Sequence, residues 1–298
     1  MSTQLRLPLI GLFVLVLSYA CTPQPSGGED AGQILFSSDR DGETSDLYRI
    51  DVPTLETTRI TSDGNGKFAG PFSPDGNRIA YTFFGLAGTD IYAMLPDGTG
   101  STNLTHEEAA ANSFPAWSPD GARIVFTAWH EGGNDLYIMN PDGSEVARLT
   151  DVPGDDWDAD WSPDGSTLVF LSDRDNDPGV YDLYLLEIST LSVTRLTDDG
   201  INHYAPDWSP DGEWIVFRGH QDGDGEILVI RSDGSGLVNL TNHPGEDWSP
   251  SWSPNGERIA FQTDRDGNWE IYVMTADGTG LTNLTGDPAD DEWPFWRP

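Results

Sequence analysis

Apolar and polar residues alternate with a period of two over short stretches, and these stretches recur along most of the chain. Arg123–Phe126 (RIVF) and Arg258–Phe261 (RIAF) are two of them. Such alternation sets one face of a strand against a core and turns the other away from it. An aromatic residue and a turn precede each stretch. Trp-Ser-Pro-Asp-Gly stands at 117–121, 161–165 and 208–212, with FSPDG at 72–76, WSPNG at 252–256 and a truncated WRP at 296–298. Proline fixes φ and glycine accepts a positive φ, so Pro-Asp-Gly turns the chain. After a polar hairpin comes a third stretch that reads acid, apolar, tyrosine. Its pairs are Asp46/Tyr48, Asp90/Tyr92, Asp135/Tyr137, Asp182/Tyr184 and Glu270/Tyr272, with Glu226/Leu228 as the exception. A fourth ends in Leu-Thr or Ile-Thr, at Thr61, Thr105, Thr150, Thr197, Thr241 and Thr285.

The aromatic residues at 72, 117, 161, 208, 252 and 296 are 44 to 47 residues apart. Four short strands at this period predict an all-β fold, a six-bladed β-propeller of four-stranded blades. Gln33–Phe36 (QILF) matches strand two and Pro294–Trp296 matches strand one. The C-terminal strand is therefore predicted to complete the N-terminal blade and close the ring, which removes open sheet edges. The once-per-blade tryptophans Trp117, Trp161, Trp208, Trp252 and Trp296 read as core wedges. The recurring acid before strand three reads as a structural acceptor for backbone amides of a nearby turn.

The N-terminus breaks the pattern. Leu7–Leu17 is an apolar run of 11 residues, too short to span a bilayer as a helix. It leads to Leu-Ser-Tyr-Ala-Cys, ending at Cys21, the one cysteine of the chain. This resembles a bacterial lipoprotein signal, which implies removal of residues 1–20, acylation of Cys21 and anchoring to a membrane by the lipid. Thr22 after the cysteine, rather than Asp, implies the outer membrane by the enterobacterial sorting pattern. Residues 21–32 are Pro/Gly/Ser-rich and read as a flexible tether, with the propeller over 33–298. A formal charge of −35 repels nucleic-acid phosphates, so no nucleic-acid partner is expected.

The repeated strings WSPDG, Ile-x-Phe, Ser-Asp-Arg-Asp-Gly, Asp-Leu-Tyr, Asp-Gly and Leu-Thr are similar to the WD-like propeller repeat of TolB-type periplasmic proteins. The resemblance covers residues 33–298. TolB itself carries an α/β domain ahead of its propeller, where this chain has only the tether, so a lipoprotein variant without that domain is expected. The resemblance implies a non-catalytic binding or scaffold protein of the cell envelope, docking a protein or glycan partner at the loop-lined mouth.

Loops on a rigid scaffold are where sites are usually placed, and the loops from strand four to the next strand one vary most. Five residues before each aromatic stand Lys67, Asn112, Asp156, His203, Asp247 and Asp291, which repeat symmetry gathers as a ring near one mouth of the channel. Asp155, Asp158, Asp160, Glu246, Asp290 and Glu292 thicken it. Clustered carboxylates suit Ca²⁺. In the absence of a twelve-residue calcium loop they read first as the solvated rim of an acidic protein, with no cofactor required. Asp222–Glu226 (DGDGE) resembles a calcium loop but falls in a hairpin, where Asp-Gly is ordinary turn chemistry. Trp157, Trp248 and Trp293 lie in the same mouth loops. They pack under their own loops or stack on a sugar or peptide, and they join the ring residues as the candidate binding set. No Gly-x-Ser-x-Gly and no phosphate-cradling loop occurs, so no catalytic residue is assigned. His106, His203 and His243, also in mouth loops, carry the alternative, a metal-dependent carbohydrate lyase or hydrolase.

Overall fold

The computed structural model describes residues 32–298 except 43, 87, 107–110, 131 and 222. Cys21, the signal segment and all of the tether but Gly32 lie outside the described residues. The strands form six separate four-stranded antiparallel sheets, arranged in chain order around a ring. The first blade joins Asp291–Trp296 to Gln33–Ser38, Asp46–Asp51 and Glu56–Arg59. Ile34 pairs with Trp296 and Ser38 with Asp291, so the last strand closes the ring as the repeat predicts. The other five blades begin with the innermost strands Gly66–Phe68, Asn112–Trp117, Asp156–Trp161, His203–Trp208 and Asp247–Trp252.

The core is divided among the six junctions between neighbouring blades. Each junction holds one apolar cluster, such as Ile34, Phe36, Ile50, Ala260, Ile271 and Trp296 between the first and sixth blades. The repeated aromatic is the wedge: Trp117, Trp161, Trp252 and Trp296 are buried, and Trp208 packs against its junction half-buried. A chain that buries its core only between copies of one unit needs the full ring.

Two devices recur. In the Ser-Pro-Asp-Gly turn the serine hydroxyl donates to the aspartate two residues on, at 2.6–2.7 Å in four blades, and accepts the N–H of strand two. At the outer end the recurring acid meets the strand-four threonine. Thr197 Oγ1 donates to Asp182 at 2.9 Å while accepting the Leu183 N–H at 2.9 Å. The same bracket holds Asp46 with Thr61, Asp90 with Thr105, Asp135 with Thr150, Glu226 with Thr241 and Glu270 with Thr285. Among the described residues the expected turn amides reach only Glu226 and Glu270 of these acids, from His243 and Asp287. The acid thus ties strand three to strand four, because a buried carboxylate is best served by the nearest hydroxyl.

Candidate functional site

The innermost strands surround a central channel, and each carries an irregularity that shapes it. In five blades the residue three before the wedge aromatic has a left-handed backbone: Phe114, Asp158, Ala205, Ser249 and Trp293, with φ between 48° and 58°. Non-glycine residues adopt this region seldom, and it recurs here as a β-bulge. The pairing register shifts across it, between Trp157 and Asp160 for example. The bulge also turns backbone N–H groups toward the preceding blade: Phe114 donates to Thr82 Oγ1, Asp158 to Thr127 Oγ1 and Trp293 to Gln262 Oε1.

One consequence is that two adjacent columns of the repeat, four and three residues before the wedge, reach the same rim. Their rings form a near-continuous collar. Phe68 stacks on Trp293 at 5.2 Å, Trp293 meets Phe114 at 5.9 Å and Phe114 meets Trp157 at 5.4 Å. Trp157 meets Tyr204 at 6.0 Å, and Tyr204 meets Trp248 at 5.2 Å. All six rings are half-buried. The structure therefore places Trp157, Trp248 and Trp293 in one assembly. Sequence reading missed Phe68, Phe114 and Tyr204. The aromatic residues were visible, but the bulge that merges their columns has no signature in a period-two pattern. Beside the collar Arg218 is buried, with its guanidinium 3.6 Å over the Trp248 ring and a 2.8 Å bond to Glu246. Desolvation lowers the pKa of this arginine.

The collar opens on a cavity of about 90 Å³ lined by residues of all six innermost strands. Asp158, Asp160 and Asp207 face it. Each accepts one backbone N–H from the next blade: Ala205 to Asp158 at 3.1 Å, Trp208 to Asp160 at 2.8 Å and Trp252 to Asp207 at 2.7 Å. Desolvation pushes Asp158 up to about 7 and Asp160 up to about 6. Desolvation and then the charge of Asp160 push Asp207 well above the carboxylate range.

The ring predicted five residues before the wedge exists, but it is not open to solvent. Lys67, Asn112, Asp156, His203, Asp247 and Asp291 are all buried. Three are aspartates, and each meets an arginine from the hairpin after strand two. Arg174 reaches both oxygens of Asp156 at 2.7 and 2.8 Å, Arg40 both of Asp291 at 2.7 Å, and Arg265 both of Asp247 at 3.0 and 3.3 Å. Each guanidinium also lies over an aromatic pair, as Arg174 does over Phe170 and Tyr184 at 5.2 Å. In the other blades the ring residue turns to the preceding blade's recurring acid. Lys67 Nζ is 3.5 Å from Asp46 and Asn112 Nδ2 is 3.5 Å from Asp90. His203 lies between two carboxylates, with Nδ1 3.6 Å from Asp182 and Nε2 3.3 Å from Asp199. Lys67, Asn112 and His203 thus tie neighbouring blades, the three aspartates tie strand one to the hairpin of their own blade, and a ligand reaches any of them only if those pairs open.

Asp182, Asp199 and His203 are also the one group among the described residues with three metal-type ligand atoms within 4.8 Å. Asp182 is already engaged by Arg195 at 2.5 Å and Thr197 at 2.9 Å. The imidazole offers its two nitrogens to opposite neighbours, whereas a metal needs converging donors. Burial pushes Asp199 upward, yet its bond to His203 holds it below its ordinary value. His106 and His243 do not join this group, so the convergence a three-histidine centre needs does not occur. The Asp222–Glu226 hairpin keeps its turn role as far as it is described: Glu226 is engaged by Thr241 at 2.5 Å and by the His243 amide, and Asp222 lies outside the described residues.

The family model of the TolB β-propeller domain matches residues 67–203 and again 182–298. The chain belongs to that family. Over 104 residues it is 32% identical to the Tol-Pal system protein TolB of Anaeromyxobacter dehalogenans, a stretch that is 35% of this chain and 23% of that relative. The matched stretch thus spans under a quarter of that TolB's length. The crystal structure of TolB from Acinetobacter baumannii superposes with a TM-score of 0.79 at 25% identity, over 91% of this chain and 68% of that one. An oligogalacturonate lyase in complex with manganese superposes with a TM-score of 0.56 at 15% identity, over 84% of this chain and 73% of that one, and shares the fold alone. The family match and the superposition thus account for the propeller repeat.

Proposed function

We propose that this TolB-family propeller is a non-catalytic docking module of the bacterial cell envelope, which holds a protein partner at the aromatic mouth of its channel. The collar carries the reading. Half-buried aromatic rings bordering a concave opening supply large contact area at small entropic cost, and such rings are typical anchors of protein recognition. Kinship with a Tol-Pal system protein favours an envelope protein as the occupant. Acylation of Cys21 would keep the propeller at the outer membrane on residues 21–32. The ring carboxylates support the same view, since each is engaged by an arginine of its own blade.

The test is capture from detergent-solubilised envelopes with the full chain and with Trp157→Ala plus Trp248→Ala. A protein retained by the first and lost by the second supports the mouth as the docking site. An identical set of captured proteins would remove the collar from recognition, and retention of a glycan instead would change the class of partner. Mass spectrometry of the N-terminal peptide tests the anchor: a diacylglyceryl adduct on Cys21 is expected.

A further inference from the structure

Each carboxylate that this chain buries in the ring five residues before the wedge is met by an arginine lying over aromatic rings. Asp156, Asp247 and Asp291 are met by Arg174, Arg265 and Arg40, each stacked on two rings at 5.0–5.6 Å. The channel repeats two parts of that unit and lacks the third. It holds Asp158, Asp160 and Asp207 beside the rings of Phe68, Phe114 and Trp293, and among the described residues no lysine, arginine or histidine lines it. None of the three carboxylates has an ion-pair partner among the described residues, and each is bonded only by backbone N–H groups. Ser249 lines the same cavity, is 6% exposed, and its Oγ has no hydrogen-bond partner among the described residues. Pro71, Pro115, Pro206, Pro250 and Pro294 in the wall carry no N–H, which leaves few donors for an anion.

We propose that the channel seats a guanidinium group brought by the docked partner, with the carboxylates of Asp158, Asp160 and Asp207 and the Ser249 hydroxyl as acceptors and the collar rings as the stacking surface. A planar guanidinium matches this set: it offers five fixed donors to paired carboxylates and stacks on aromatic faces. A hard divalent cation wants six to eight oxygens, whereas this wall is mostly aromatic, proline and alanine. Cation–aromatic contact strengthens where water is excluded. Burial raises Asp158 to about 7, so at neutral pH it is partly protonated and entry of the cation expels protons. Among the described residues no other titratable side chain lines the cavity.

The inference rests on the docking reading, so the test separates the two. The full chain is titrated at pH 6.5 with N-acetyl-arginine amide, with its neutral citrulline counterpart and with CaCl₂, by calorimetry and tryptophan fluorescence. Saturable one-to-one binding of the arginine probe, proton release and no saturation by the citrulline probe are expected. Asp158→Asn plus Asp207→Asn keeps the acceptor oxygens for the backbone amides and should weaken the arginine probe at least tenfold without lowering the melting temperature. Phe114→Leu, which leaves every carboxylate in place, should weaken it severalfold. Equal affinity for the citrulline probe, unchanged binding by the double aspartate variant, or saturation by Ca²⁺ alone would overturn the proposal. In partner capture, wild-type yield with the double variant overturns the guanidinium site and leaves docking standing. Arginine binding with no partner captured by the wild type overturns docking and leaves a site for a free guanidinium compound.

Discussion

Replacing Asp158 by asparagine should stabilise the ring at alkaline pH and do little at acid pH. Asp158 accepts the Ala205 N–H at 3.1 Å, and the amide oxygen of asparagine can accept it too. The substitution therefore removes a titratable charge while leaving the inter-blade bond. Desolvation raises the folded-state value to about 7 from an ordinary 3.8. The folded chain then holds the proton longer than the unfolded chain, and wild-type stability falls as pH rises from about 4 through about 7. A difference of that size corresponds to about 4 kcal/mol once the group is fully ionised. That is an upper limit, because the side chain is partly open to channel water, and about 1–2 kcal/mol is a realistic gain. For a ring of this length the melting temperature should rise by about 2–6 °C at pH 8. At pH 4 the folded state is protonated and the unfolded state only about half ionised, so the gain should shrink below about 0.5 kcal/mol. Thermal melts of the two proteins across this range decide the matter. A gain equal at both ends would show that ionisation is not the cause. A loss at pH 8 would show that the carboxylate is stabilising as a charge.

Trp296→Ala should cost about 3–5 kcal/mol in urea unfolding, because the wedge that it deletes seals the junction where the two chain ends meet. Deleting 292–298 should cost more, and an unchanged melting temperature would refute closure by the last strand. Arg174→Ala leaves Asp156 buried without its cation and should cost about 3–5 kcal/mol. Adding Asp156→Asn should restore at least half of that, and a double-mutant cycle that shows no coupling would place the pair's energy elsewhere. Thr150→Val removes the hydroxyl that accepts the Leu136 N–H at 3.0 Å and should cost about 1–3 kcal/mol. Thr150→Ser keeps the hydroxyl and should cost less, and a loss as large as that of Thr150→Val would show that the hydroxyl bond is not the dominant contribution.

The fold was legible because its unit is repeated. Alternation supplied the strands, the Pro-Asp-Gly turns their ends, and the match of Gln33–Phe36 to strand two with Pro294–Trp296 to strand one supplied the closure. The site was less legible, because it depends on which residues of different columns meet. Counting back five residues located Asp156, Asp247 and Asp291 as a ring but gave no sign of burial. That sign was present in another column: the Ser/Thr-Asp-Arg hairpin occurs in the three blades with aspartate in the ring and in none of those with Lys67, Asn112 or His203. A hairpin taken as polar connection carries the counter-charge of its own blade.

The same column comparison bears on the channel. Asp158, Asp160 and Asp207 sit in columns that hold Ala69, Phe114, Ala116, Ser249, Ser251 or Phe295 in other blades. The acids are therefore not demanded by the blade, which builds its wall equally well with small or aromatic residues. Nor does any column place a basic side chain against them, although the chain supplies an arginine at every ring aspartate. Burying three carboxyls without a cation works against stability at neutral pH, by the argument that makes Asp158→Asn stabilising. Acids that the fold does not require, that the chain does not neutralise and that weaken the ring are where selection for a bound cation would leave its mark. The stability of the asparagine variant and its affinity for a guanidinium should therefore move in opposite directions.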